Sequence, residues 1–273
     1  MQKVKKGILA GIALILGVAG SEAAEWNVKD SVLVIEAATV AVPAQAFVDR
    51  EDFHTVRVAA GGKLAEIGEY AFMGCRNLRN VELGNSVRKV GQGAFRECER
   101  LVRVAMPGVK VVPRECFSWC VNLKAVELSP RLEDISSQGF SYCRELEEFE
   151  FPPTLRHIGG NAFSFCSSLR KADLPDSVEE LESYAFSECS SLESVRLPGN
   201  GKLLGELIFS GCWKLKEIVE PSLRVPSFDC NSTLFEDAET WLYDECRLMV
   251  PSRAASSYRR AEGWKLFKQI EEL

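Results

Sequence analysis

Apolar and polar positions along this chain return in a unit of almost constant length. A phenylalanine opens each copy, at Phe72, Phe95, Phe117, Phe140, Phe163, Phe186 and Phe209, at intervals of 23, 22, 23, 23, 23 and 23 residues. Three residues after each comes a cysteine: Cys75, Cys98, Cys120, Cys143, Cys166, Cys189 and Cys212. Three further on stands a leucine, from Leu78 to Leu215. A short alternating segment follows, such as Val81-Glu82-Leu83 or Val195-Arg196-Leu197, and a proline often closes it. Alternation of period two puts Val and Leu on one face and the polar residue on the other, so each unit is predicted to supply one short strand. One such unit cannot bury its own apolar face, whereas stacked units bury a continuous one. The pattern predicts a solenoid with one parallel strand per coil, about 4.8 Å apart, and a rod on the order of 40 Å long for eight coils.

An imperfect first copy opens at Phe47, with Arg50 where the cysteine would be and "FHTVRV" as its strand. After Leu197 the copies degrade, and "PSLRVPSFDCNSTLF" keeps only an echo of the unit. A period of 20–29 residues with one strand per unit is the signature of a leucine-rich repeat. The wording "AF-x-x-C-x-x-L-x-x-V-x-L-P" resembles the BspA-like leucine-rich repeats of bacterial surface and secreted proteins. The tail is similar to the closing segment of that family at Val250, Pro251, Tyr258, Ala261, Trp264, Phe267 and Ile270. The resemblance implies a leucine-rich-repeat solenoid with a short parallel strand per ~23-residue coil and little regular helix except a C-terminal helical cap. The expected boundaries are a cap strand over 25–40, repeats over 41–220, and a degenerate last repeat with its cap over 221–273. In that cap Tyr258, Trp264, Phe267, Ile270 and Leu273 recur at near-helical spacing and are expected to close the last coil.

The start of the chain reads as a signal peptide over 1–24. "MQKVKK" is basic, and Gly7–Gly20 is an apolar run of 14 residues, short of the roughly 20 that span a bilayer. Small residues follow, with a plausible cleavage point near Ala23 or Ala24. Export to the cell surface or medium is the expectation, with no membrane span once the segment is removed. A formal charge of -6 gives no electrostatic basis for nucleic-acid binding.

Export raises the question of the ten cysteines, because exported cysteines usually pair. The seven at the repeated position share one environment, facing inward at the turn into the strand. There a thiol can act as a small hydrophobe with a weak donor for buried carbonyls. Equivalent cysteines would lie within disulfide range, but side chains in a ladder run parallel and do not converge. Buried free thiols are therefore expected, with Cys116 also inward. Cys230 and Cys246, outside the ladder, are the candidate disulfide. No CxxC suggests zinc.

Nothing in the chain has the arrangement of a catalytic centre. His54 and His157 are the only histidines and read as surface imidazoles. GxSxG, HExxH and P-loop motifs are absent, and no cofactor is implied. Function is expected on the extended surface instead. One outward column runs through Glu82, Glu127, Glu150, Asp173 and Arg196, and a neighbouring one includes Arg103, Glu148 and Lys171. Three readings stay open for these carboxylates: a solvated acidic face, a dock for a basic protein segment, or a shared calcium site. Trp119, Tyr142 and Phe165 form a stripe at equivalent positions, either an exposed patch or a second packing ladder. The resemblance implies a non-catalytic adhesion or protein-binding role, with a host matrix or cell-surface protein as partner and a glycan as a further possibility. The alternative is a secreted carbohydrate-binding or enzyme-accessory protein, or a structural scaffold of a surface complex.

Overall fold

Each unit forms one coil, and three stretches of it repeat their hydrogen bonds from coil to coil. The computed structural model describes residues 26, 28–200, 204–226, 233–236 and 239–273; the signal peptide expected over 1–24 lies outside them. The alternating segments build one face. Strands Val28–Lys29, Val32–Ile35, Thr55–Val58, Asn80–Glu82, Arg103–Met106 and Ala125–Leu128 make one sheet, parallel except for the antiparallel first pair. Lys171–Asp173, Ser194–Arg196, Glu217–Val219, Arg247–Val250 and Gln269–Glu272 make a second, all parallel. Two-residue strands before each phenylalanine from Phe47 to Phe186 form further ladders, Ala41–Val42 to Lys89–Val90 and Val111–Val112 to Glu180–Leu181.

The third stretch is the turn around the phenylalanine. The Phe72 amide donates to Ala94 O at 2.8 Å, Phe140 to Ala162 O at 2.8 Å, and Phe163 to Ala185 O at 2.8 Å. Aligning these bonds requires a left-handed residue two positions before and two positions after most phenylalanines, such as Tyr70, Glu97, Trp119, Tyr142 and Glu188. Side chains other than Gly pay a steric penalty there. Glycine takes the position at Gly74, Gly93 and Gly211, and none of the non-glycine occupants is β-branched, the shape that tolerates it least.

Inside, the phenylalanines stack in one column. Successive rings from Phe47 to Phe186 lie 4.9–5.6 Å apart, and all are fully buried. Arg50, in place of the first cysteine, lies over the rings of Phe47 and Phe53 and pairs with Asp52. The column continues through Phe209 to Phe235. The coil between those two is longer than the rest, since Glu217–Val219 pairs directly with Arg247–Val250.

One predicted strand is missing. Residues 147–151, where "FEF" was expected to join the face, form no strand, and the two large sheets part there. No amide of 147–151 donates to a neighbouring coil among the described residues. The inward positions that hold Val104 and Met106 elsewhere hold Phe149 and Phe151 here. Both rings lie against the phenylalanine column, Phe149 at 5.2 Å from Phe140 and 4.9 Å from Phe163. The corresponding inward position of the next coil is the small Ala172. Overpacking a core costs about 1–3 kcal/mol, and like charges facing across strands cost about 0.2–1 kcal/mol. Ring volume is therefore the larger cause, and the row Glu127, Glu150, Asp173 adds to it. The neighbouring strand loses its cover: Val126 and Leu128 are half-buried, whereas Val104 and Met106 are fully buried.

The C-terminal cap is less helical than its spacing predicts. It comprises a single turn at Ala255–Tyr258, a 3-10 turn at Trp264–Leu266, and then the strand Gln269–Glu272. Tyr258 and Trp264 are fully buried, and their polar atoms donate to Ser222 O at 2.9 Å and Pro226 O at 2.9 Å. Leu273, expected in the lid, is exposed.

Candidate interaction surface

The thiol ladder is structural. Every repeated cysteine is fully buried as a free thiol. Each sulfur lies 3.0–3.3 Å from the carbonyl oxygen of the phenylalanine one coil earlier, from Cys75 on Phe47 to Cys212 on Phe186. The following coil thus satisfies both groups of each such phenylalanine, accepting from its amide and closing its carbonyl with a thiol. Burial raises the pKa of these thiols well above that of a free cysteine, so they are poor nucleophiles. Cys116 is likewise buried. Of the candidate disulfide, Cys246 is a buried thiol pushed up to about 12, and Cys230 lies outside the described residues.

The six outward residues singled out in the sequence do not form one continuous row. Glu82 and Glu127 stand on the first sheet, Asp173 and Arg196 on the second, and Glu148 and Glu150 on the unpaired stretch between. Three are engaged: Glu127 by Arg103 at 3.7 Å, Asp173 by Lys171 at 2.7 Å, and Arg196 by Asp176 at 2.8 Å. Arg196 also donates to the carbonyl of Leu174 at 2.9 Å. Glu82, Glu148 and Glu150 are exposed, with no ion pair among the described residues. Nearby Glu145 and Glu147 pair with Lys124 and Arg170. Among the described residues no three His, Cys, Asp or Glu side chains gather so as to hold a metal ion.

The sequence did not show that apolar side chains of this acidic stretch come partly to solvent. Val126, Leu128, Phe149 and Phe151 are half-buried there, beneath exposed Glu127, Glu148 and Glu150. The signal was the pair of phenylalanines where other coils carry smaller side chains.

His157 is not a free surface imidazole. It bridges three coils, with Nδ1 2.7 Å from Asp134 Oδ2 and Nε2 3.1 Å from Glu182 Oε1. Burial lowers its pKa, and the bonds to the two carboxylates outweigh that, so the net shift is upward. His54 is exposed. Trp119, Tyr142 and Phe165 stack on one another while remaining partly exposed. The two readings of that stripe thus hold together.

Stacked parallel coils, a buried phenylalanine column and a thiol ladder define a leucine-rich-repeat β-solenoid. A family model, the BspA type leucine rich repeat region, matches residues 40–138 and 110–237 in six copies. The chain belongs to that family. A leucine-rich cell surface protein from Faecalibacterium prausnitzii has a similar fold, with a TM-score of 0.51 and 21% identity, over 89% of this chain and 79% of that one. A leucine-rich repeat protein of T. pallidum is 26% identical over 88% of this chain and 91% of its own, with a TM-score of 0.46. Among curated proteins nothing matches the chain. No helix of the described residues is long and apolar enough to cross a membrane.

Proposed function

We propose that this protein is a non-catalytic interaction module that docks a basic segment of a partner protein at the interrupted strand face. Exposed Glu148 and Glu150, without ion pairs among the described residues, above half-buried Val126, Leu128, Phe149 and Phe151 support this reading. A partner needs apolar area to bury and a charge pattern to align it, and this stretch supplies both. The amides of 147–151, which donate to no neighbouring coil among the described residues, add hydrogen-bonding groups at a place where other coils pair as strands. Basic residues of the partner would meet Glu148 and Glu150 first, because Glu127 and Asp173 are partly neutralised within the chain.

Adhesion at a bacterial surface, to a host matrix or cell-surface protein, is the biological setting we infer from the family, with export through residues 1–24. The test is titration with a labelled Lys-rich peptide containing two leucines, followed by fluorescence anisotropy. Binding is expected to weaken at least tenfold in Glu148→Lys/Glu150→Lys and to fall steeply with salt. Equal binding by the variant removes the acidic stretch from the site.

A further inference from the structure

A second surface lies on the turn face, away from the strands. Trp119, Tyr142 and Phe165 occupy the left-handed position two residues after the phenylalanine in three successive coils, at φ 65, 62 and 60. Other coils hold Asp49, Gly74, Glu97, Glu188 or Gly211 there, and of these only glycine fits without strain. Three bulky aromatics in that backbone are a local cost that the scaffold holds in place. Their rings stack face to face, 4.0 and 4.3 Å between centroids and within 8° of parallel. Trp119 remains 39% exposed and Phe165 36%.

The geometry restricts what such a ridge can hold. A sugar stacks its C–H face on an open ring face, and here the inner faces are occupied by the neighbouring rings. The stack covers both faces of Tyr142 and one face each of Trp119 and Phe165, so much of what it presents is ring edge, the electropositive rim of the quadrupole. Arg144 sits over the rings of Trp119 and Tyr142, 5.9 and 5.8 Å from their centroids. It is exposed and has no carboxylate partner among the described residues. The position two before the phenylalanine carries Glu115, Gln138 and Asn161 in these coils, and Glu115 and Glu97 are held by Arg96 and Arg114. On a chain of net charge -6, the Trp119–Tyr142 end of the ridge sets Arg96, Arg114 and Arg144 against Glu97 and Glu115, while Glu188 stands beyond Phe165.

We propose that the ridge of Trp119, Tyr142 and Phe165, with Arg144, docks an extended acidic peptide segment of a partner protein. Apolar side chains of the segment pack on the ring edges, and its carboxylates meet those edges and the Arg144 guanidinium. This site is independent of the acidic strand face and opposite to it in preference, so either can fail without the other.

The experiment pans a displayed library of random 12-residue peptides on the protein and on Trp119→Gly/Tyr142→Gly/Phe165→Gly. That variant is expected to fold, because glycine already fills the position in two other coils. Clones that bind the protein and not the variant are expected to be rich in Asp and Glu around apolar residues. As synthetic peptides they should bind at least tenfold more weakly to the variant. Exposed Arg144→Glu, which leaves the ring stack in place, should weaken them at least fivefold and serves if the triple variant misfolds. Four outcomes overturn the proposal: no clone distinguishes the two proteins, or the distinguishing clones are neutral or basic. The others are a glycan-array signal that the variant loses, or self-association in sedimentation that the variant abolishes. A Lys-rich peptide bound equally by both proteins belongs to the strand face and leaves this test unchanged.

Discussion

Cys143→Ala probes the thiol ladder where it is most regular. Cys143 is fully buried, and its sulfur lies 3.3 Å from Phe117 O. That carbonyl also accepts the amide of Cys120 at 3.0 Å, so the mutation weakens its coordination without orphaning it. A thiol is a weak donor, which puts the lost bond near the low end of the usual range, about 0.5 kcal/mol. Removing one buried atom the size of a methylene forfeits about 0.8 kcal/mol of transfer energy. The void left behind adds about 0.7 kcal/mol at ~24 cal/mol per Å³. The expected loss is about 2 kcal/mol. Cys143→Ser should not rescue it, because the shorter C–O bond withdraws the donor from Phe117 O and a buried hydroxyl needs a good partner. The measurement is urea unfolding followed by tryptophan fluorescence, with the slope checked for constancy. A loss under about 0.5 kcal/mol for alanine, or a serine variant as stable as the parent, would refute the view that sulfur closes the coil.

The raised thiol pKa values predict slow alkylation of the ladder cysteines in the native protein at pH 8. In denaturant all ten cysteines should react, and a count of eight or fewer would reveal pairing. Phe149→Val/Phe151→Leu should let residues 147–151 join the sheet; hydrogen exchange there should slow at least tenfold, and unchanged exchange would shift the cause from ring volume to charge. For His157 the folded pKa is raised, so its contribution is complete below the unfolded value of about 6.5 and lost as pH rises through the folded value. The urea midpoint should therefore drop more between pH 6 and 9 in the parent than in His157→Gln, and parallel profiles would exclude the clamp. Trp119→Gly alone trades about 1 kcal/mol of left-handed strain against a stacking contact worth about 0.5–1.5 kcal/mol. Stability by thermal melting should change by under about 1 kcal/mol.

Much of this protein follows from the order of residues alone. The interval between phenylalanines sets the coil, because only stacking can cover an apolar face that short. The inward cysteines were legible for the same reason: seven equivalent positions cannot all be reactive sites, and a shared position implies a shared buried role. The candidate acidic residues were also named from alternation, and each one on a formed strand does point outward.

Tertiary packing decided the rest. Alternation in "FEF" reads as a strand by period, yet period carries no information about volume. Only contact with Phe140 and Phe163 shows that two more rings do not fit, which opens the sheet and brings Val126 and Leu128 toward solvent beneath the carboxylates. His157 looked solitary because Asp134 and Glu182 are 23 and 25 residues away in the chain and one coil away in space. Phe235 continues the phenylalanine column, hidden by a longer coil that breaks the interval. The aromatic stripe could be aligned from its spacing, but stacking with exposed edges depends on left-handed backbone at all three positions. The chain encodes what each coil buries, while the neighbouring coils determine what each one can leave exposed.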